Sequence, residues 1–156
     1  MLRELWANSI RWLACSFRTK LSWIYASKTQ RGPLGPDGEK LAARFLQRLG
    51  YRILDRGHRQ RQGEIDLIAL DGKVLVFVEV KTWRSGDGGD PSQAVDHRKQ
   101  ERLTRAALIY LKRRKLLESP SRFDVVSIVW PAGEQAPQIR HFINAFDAVG
   151  KWQMFR

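Results

Sequence analysis

Gly63-Glu64-Ile65-Asp66-Leu67-Ile68-Ala69 and Val76-Phe77-Val78-Glu79-Val80-Lys81 are the two stretches on which the reading of this chain turns. Between them stands Asp71-Gly72, a strong hairpin signal, so antiparallel strands are expected over 63–69 and 73–81. Side chains alternate along a strand. That puts Leu75, Phe77, Glu79 and Lys81 on one face and Val74, Val76, Val78 and Val80 on the other. A valine face of that purity belongs in a core. The opposite face is then the anomalous one, because it ends in an acid and a base. With Asp71 and Gly72 as the central turn residues, Asp66 falls opposite Phe77 and diagonal to Glu79. From there two carboxylates can meet a shared divalent cation.

Phosphodiester hydrolysis is the chemistry that uses such a set. Asp66 and Glu79 are expected to hold Mg²⁺ or Mn²⁺, which activates water and offsets charge developing on the phosphate. Lys81, two residues after Glu79, projects beside it and can orient water or stabilise an anionic transition state. The competing reading is a salt-bridged patch at a strand end. Glu39 is a fourth candidate, although an acid in the first turn of a helix is also favoured by the helix dipole. Glu64 suits a capping or ion-pairing role, though it falls opposite Glu79 in the same register, and two such acids prefer a shared cation.

Working outward, Asp37 is placed to cap a helix whose buried face is Leu41, Ala42, Phe45, Leu46 and Leu49, with Gly50 as its end. A strand is expected over 51–55, then a basic connection over 56–62. Beyond the hairpin, 85–90 reads as a glycine-rich loop, and Asp90-Pro91 as the start of a helix over about 92–115. Strands follow over 122–130 and 138–143. Helix, three strands, helix and one or two strands pack naturally as an α/β fold, a mixed sheet flanked by helices.

Residues 1–31 differ from the remainder, 32–156, which is expected to form the domain. In them Leu2, Trp6, Ile10, Leu13, Phe17, Leu21 and Ile24 mark one stripe of an extra N-terminal helix, with six basic residues and one acid. The run 32–36, Gly-Pro-Leu-Gly-Pro, reads as a linker.

The formal net charge is +12, which favours polyanionic partners, nucleic acid or anionic lipid. Arg56, Arg59 and Arg61 before the site, and Arg98, Lys99, Arg102 and Arg105 after it, suit a track of DNA backbone phosphates or simply a solvated face. One cysteine, Cys15, excludes an internal disulfide framework and makes a reducing cytoplasm the expected compartment. His58, His97 and His141 lack zinc spacing. The apolar stretch 12–17 is far too short for a bilayer span, and no convincing cleavage pattern follows it.

Gly38-Glu39 with Ala42, residues 50–54, the 63–69 and 76–81 stretches, Lys99-Gln100 with Leu103, Ala106-Ala107, Tyr110-Leu111, Arg122-Phe123-Asp124-Val125-Val126 and Asn144-Ala145-Phe146 carry a resemblance. Over about 35–146, in order and in spacing, the chain resembles the YraN-like family of small predicted endonucleases. The resemblance implies a restriction-endonuclease-like fold of the PD-(D/E)xK type, related to archaeal Holliday-junction resolvases. It sets Glu39, Asp66, Glu79 and Lys81 on the acidic and lysine positions of the nuclease motif. Two departures lie before the site: Gly57 stands where the family usually has Asn, and His58 where an aromatic is typical. Residues 1–31 lie outside the family pattern.

The expected function is therefore Mg²⁺-dependent DNA cleavage, on branched or structured DNA, by a protein for which a homodimer is plausible. The alternatives are a catalytically idle nucleic-acid-binding protein on a nuclease scaffold, and a membrane-surface protein held by its N-terminal helix.

Overall fold

The structure, a computed structural model, describes residues 34–60, 63–85, 95–133 and 136–149. The elements in chain order are α1 (Leu34–Arg48), β1 (Arg52–Gln60), β2 (Gly63–Asp71), β3 (Val74–Arg84), α2 (His97–Arg114), β4 (Ser121–Trp130) and β5 (Gln138–Phe146). The five strands form one sheet in sequence order. All neighbours are antiparallel except β3 and β4, which run parallel and are joined across α2. A parallel pair needs such a crossover, because a tight turn cannot return the chain in the same direction.

The alternation of β3 assigns the two faces. Val76 and Val78, with Leu67, Ala69, Val126 and Ile128, pack against Ala42, Ala43, Phe45 and Leu46 of α1. Leu75 and Phe77, with Ile68, Phe123 and Val125, pack against Leu103, Ala106, Ala107, Tyr110 and Leu111 of α2. The result is a helix layer on either face of a mixed sheet, the restriction-endonuclease-like arrangement expected from the sequence. Leu67 and Phe77 are almost wholly buried, so truncating either to alanine is expected to cost about 3–5 kcal/mol.

Several boundaries differ from the sequence expectation, β2 and β3 among them, which run on to Asp71 and Arg84. Helix α1 begins at Leu34, so Leu34–Pro36 are helical rather than linker, and Asp37 sits inside the first turn instead of capping it. Proline is tolerated there because the N–H it lacks has no partner within the helix. Strand β1 runs on to Gln60, taking up most of what reads as a polar connection. It is an edge strand, where polar and charged residues are at no disadvantage. Helix α2 begins at His97 with Asp96 as its cap, whose side chain accepts the Lys99 N–H at 2.8 Å; Asp90-Pro91 lie outside the described residues. Strand β5 continues through Phe146, which stacks on Phe123 at 4.8 Å between ring centroids.

The N-terminal residues 1–31 and their apolar stripe also lie outside the described residues. Among the described residues no helix is long and apolar enough to cross a membrane.

Candidate active site

The ladder between β2 and β3 runs from Asp71↔Val74 to Leu67↔Val78. Its turn is therefore centred on Gly72-Lys73, one residue later than expected. Continuing that register one step sets Asp66 directly across from Glu79, and not across from Phe77. The slip moves each partner by two residues and so leaves every side chain on its original face, which is why burial pattern alone does not detect it.

Beyond Leu67 the two strands part. β2 stays with β1 as far as Gln60↔Gly63, while β3 stays with β4 as far as Arg84↔Trp130. At the fork the Asp66 carboxylate takes over from the missing ladder partner: Val80 N–H donates to Asp66 Oδ2 at 2.7 Å. Glu64, expected opposite Glu79, has left with β1. It is paired with Arg59, whose Nε lies 2.7 Å from Glu64 Oε1.

Two local devices shape the fork. Gly57, across β1 from Asp66 in the same register, has φ +57°, a left-handed conformation that glycine adopts freely and asparagine tolerates. The departure from Asn at this position thus preserves the backbone shape. On the other side, a Cβ on Gly38 would land on the Thr82 methyl group, so any larger residue there would have to displace Thr82 or push α1 away from β3. That approach brings Glu39 beside Gly57: its Oε2 lies 3.9 Å from where a Gly57 Cβ would be. His58 makes an edge contact with the Tyr110 ring at 5.2 Å, as an aromatic residue would, and its Nδ1 lies 2.7 Å from Asp55 Oδ2.

Glu79 is only 4% exposed. Its Oε1 has Lys81 Nζ at 3.1 Å and Lys99 Nζ at 3.0 Å. Its Oε2 is buried and has no hydrogen-bond partner among the described residues. A buried carboxylate oxygen left in that state is costly, and most native structures avoid it. Asp66 accepts the Val80 N–H, yet its ionised form is disfavoured. Burial first, and then the charge of Glu79, push its carboxyl up to about 7; the Val80 N–H and the Lys99 ammonium oppose this without cancelling it. Glu39 is raised as well, by its own burial and then by Glu64, against the pull of Arg59.

The structure brings Asp66, Glu79 and Lys81 together at the fork, with Glu39 near enough for its charge to act on Asp66. Among the described residues no three acidic, histidine or cysteine side chains converge into a metal cage. Two carboxylates suffice for Mg²⁺, which keeps several waters and takes its remaining ligands from phosphate. The spare oxygen of Glu79 and the strained ionisation of Asp66 fit a cation of that kind.

Of the residues read as a phosphate track, Arg98, Arg102 and Arg105 are exposed along α2, and Arg59 is exposed on β1. Arg61 lies outside the described residues. Lys99 is different, since its side chain turns inward to Glu79. Nothing in the spacing of the sequence signals that contact, which depends on how α2 crosses the end of β3.

A family model described as "Uncharacterised protein family UPF0102" matches residues 38–128, the segment from Gly38 to the end of the β4 core. The chain belongs to the UPF0102 family. This is the YraN-like family that the motifs suggest. A UPF0102 protein of Rhodopirellula baltica is 42% identical over 150 residues, covering 92% of this chain and 90% of the relative. One from Geobacter sulfurreducens is 50% identical over 114 residues, covering 73% of this chain and 88% of the relative. Another, from Symbiobacterium thermophilum, is 50% identical over 115 residues, covering 74% and 97%. A match over 92% of the chain cannot be confined to the residues from 34 onward. With the Rhodopirellula UPF0102 protein, at least, the similarity reaches into the N-terminal segment.

Proposed function

We propose that the protein is a metal-dependent DNA endonuclease that hydrolyses phosphodiester bonds, with branched or structured DNA as its substrate. The observation that carries this reading is the under-compensated acid pair: Glu79, buried with an Oε2 that has no partner among the described residues, beside Asp66 with its carboxyl raised to about 7. A purely structural ion pair would satisfy its oxygens. Asp66 and Glu79 would hold Mg²⁺ or Mn²⁺, with Glu39 near enough to contribute charge. Such a cation, when bound, supplies a Lewis acid and offsets charge on the phosphate. Lys81, fixed on the same strand face as Glu79, donates to a phosphate oxygen as negative charge grows on it. The exposed row of Arg98, Arg102 and Arg105 neutralises backbone phosphates without reading sequence.

The purified protein is assayed on duplex, single-stranded, flap and four-way-junction DNA, with Mg²⁺, with Mn²⁺ and with EDTA. Cleavage that needs the divalent ion and favours a branched substrate is expected. Salt-sensitive DNA binding with no cleavage under any of these conditions would favour the idle, DNA-binding alternative. Binding to anionic vesicles in place of DNA would favour the membrane-surface one.

A further inference from the structure

Lys99 is held in a way that a phosphate-tracking residue does not require. Its backbone N–H donates to Asp96 at the start of α2, fixing it in the first turn. Its side chain, three-quarters buried, points inward and sets Nζ 3.0 Å from Glu79 Oε1, while its neighbours Arg98 and Arg102 face solvent. Lys81 reaches the same oxygen at 3.1 Å. One oxygen of Glu79 thus carries two ammonium contacts, and the other, buried, carries none.

Two ammonium groups crowded on one oxygen repel each other. The arrangement is reasonable where no stronger cation competes for the carboxylate. The Lys99 charge also acts on Asp66, favouring its ionised form. This one ammonium therefore serves both carboxylates assigned above to a divalent ion. Adding a dication while both lysines remained would leave the cluster with a net positive charge. Lys81 is tied to Glu79 by its place two residues along the same strand face. Lys99 reaches in from a different element, beside the exposed arginines of α2.

We infer that Lys99 is a resident cation of this site, standing in at Glu79, and that a divalent ion must displace it to bind. This rests on the reading of Asp66 and Glu79 as a metal-holding pair. Once displaced, Lys99 joins the arginine row that faces substrate phosphate.

The test is isothermal titration of Mn²⁺ alone into the full chain, comparing wild type with Lys99→Met, Lys99→Arg, Lys112→Met and Glu79→Gln. Lys99→Met is expected to bind Mn²⁺ about tenfold more tightly than wild type, or better. Lys99→Arg, which keeps the charge, should stay near wild type. Lys112→Met, an equal loss of charge at an exposed position of the same helix, should change affinity by less than about twofold. Glu79→Gln should lose binding. If Lys99→Met lacks a cooperative melt, Lys99→Gln, uncharged but still a hydrogen-bond donor, replaces it. Binding by Lys99→Met but not by wild type would support displacement in its strongest form. Equal or weaker binding by Lys99→Met, with wild type binding through Glu79, would overturn the displacement and leave the metal reading standing. No Mn²⁺ binding by any variant would overturn both.

Discussion

Asp124 on β4 and the Asp66–Glu79 pair on β2 and β3 are carboxylate sites sunk into one sheet, and their surroundings treat them in opposite ways. Asp124 is fully buried, yet its oxygens accept from Arg122 Nε at 3.0 Å and from the Asn144 N–H at 2.9 Å, and lie 2.9 Å from His141 Nε2. Arg122 is anchored in turn on Tyr51 and Asp71, at 2.8 and 2.9 Å. Burial alone would raise the Asp124 carboxyl, but the hydrogen bonds from His141 and Arg122 and the charge of Arg122 outweigh it and hold it below the ordinary range. At the fork the balance goes the other way: Asp66 is raised to about 7, and one buried Glu79 oxygen has no donor among the described residues. A buried acid with every lone pair engaged holds the fold together. One left short of donors is stabilised by whatever cation arrives, and perturbed groups of that sort gather at functional sites.

The contrast is broken most sharply by swapping charge for amide at each place. Asp124→Asn leaves Arg122 and His141 without their shared anion and is expected to cost about 3–5 kcal/mol. A fall in Tm of roughly 10 °C or more should accompany it, read by circular dichroism. Asp66→Asn and Glu79→Gln should instead abolish metal-dependent cleavage. In the absence of metal, Asp66→Asn should melt at or above the wild-type temperature at pH 8, since it removes a carboxylate that the site disfavours. A loss of stability at Asp66 as large as that at Asp124 would mean both clusters are structural.

The two sites also predict opposite limbs in a pH profile of stability, measured in EDTA. Asp66 is raised from 3.8 to about 7, so the folded state keeps a proton that the unfolded chain releases. Its contribution is complete below pH 3.8 and is lost as pH rises through about 7. Asp124 is lowered, so its contribution is complete above 3.8 and is lost as pH falls below that value. Tm should therefore decline as pH rises from 3.8 to about 7 and level off above that, and fall separately in stronger acid. Asp66→Asn should flatten the first decline, worth at most about 4 kcal/mol, and leave the second unchanged. A decline over that range that survives Asp66→Asn would assign it to another group.

How much of this contrast can be read in the sequence depends on which contacts are local. The alternation of β3 placed Glu79 and Lys81 on one face and the valines in a core, and the structure keeps that division, because strand parity is a property of consecutive residues. The turn position was one residue off, since both registers satisfy the same parity. The fork at Asp66 was not legible: a carboxylate replacing a ladder partner at Val80 appears only once β2 has chosen β1 over β3. Lys99 and Asp124 were hidden for a related reason. One depends on how α2 crosses β3, and the other on Asn144 taking a left-handed backbone that aims its N–H at β4. Asp124 lay within a quoted motif, Arg122-Phe123-Asp124, but spacing does not say whether an acid will be fully partnered.

Glu39 offers the smallest effect and sharpens the boundary of the under-compensated region. It reaches the fork from α1, on the face of the sheet opposite α2, and its charge adds to the forces raising Asp66, after burial and Glu79. As a neighbour, it contributes repulsion only. Glu39→Gln should then move the upper end of that decline in Tm down by less than about one pH unit, and change Mn²⁺ affinity by less than about tenfold. As a ligand, it would contribute an oxygen that glutamine supplies poorly to a hard cation, and Mn²⁺ binding should weaken as much as in Asp66→Asn. The absence of a three-donor cage among the described residues favours the first outcome. Calorimetry on Glu39→Gln and Asp66→Asn, side by side, separates them: matched losses would extend the site across the sheet to α1, and unequal ones would confine it to the fork.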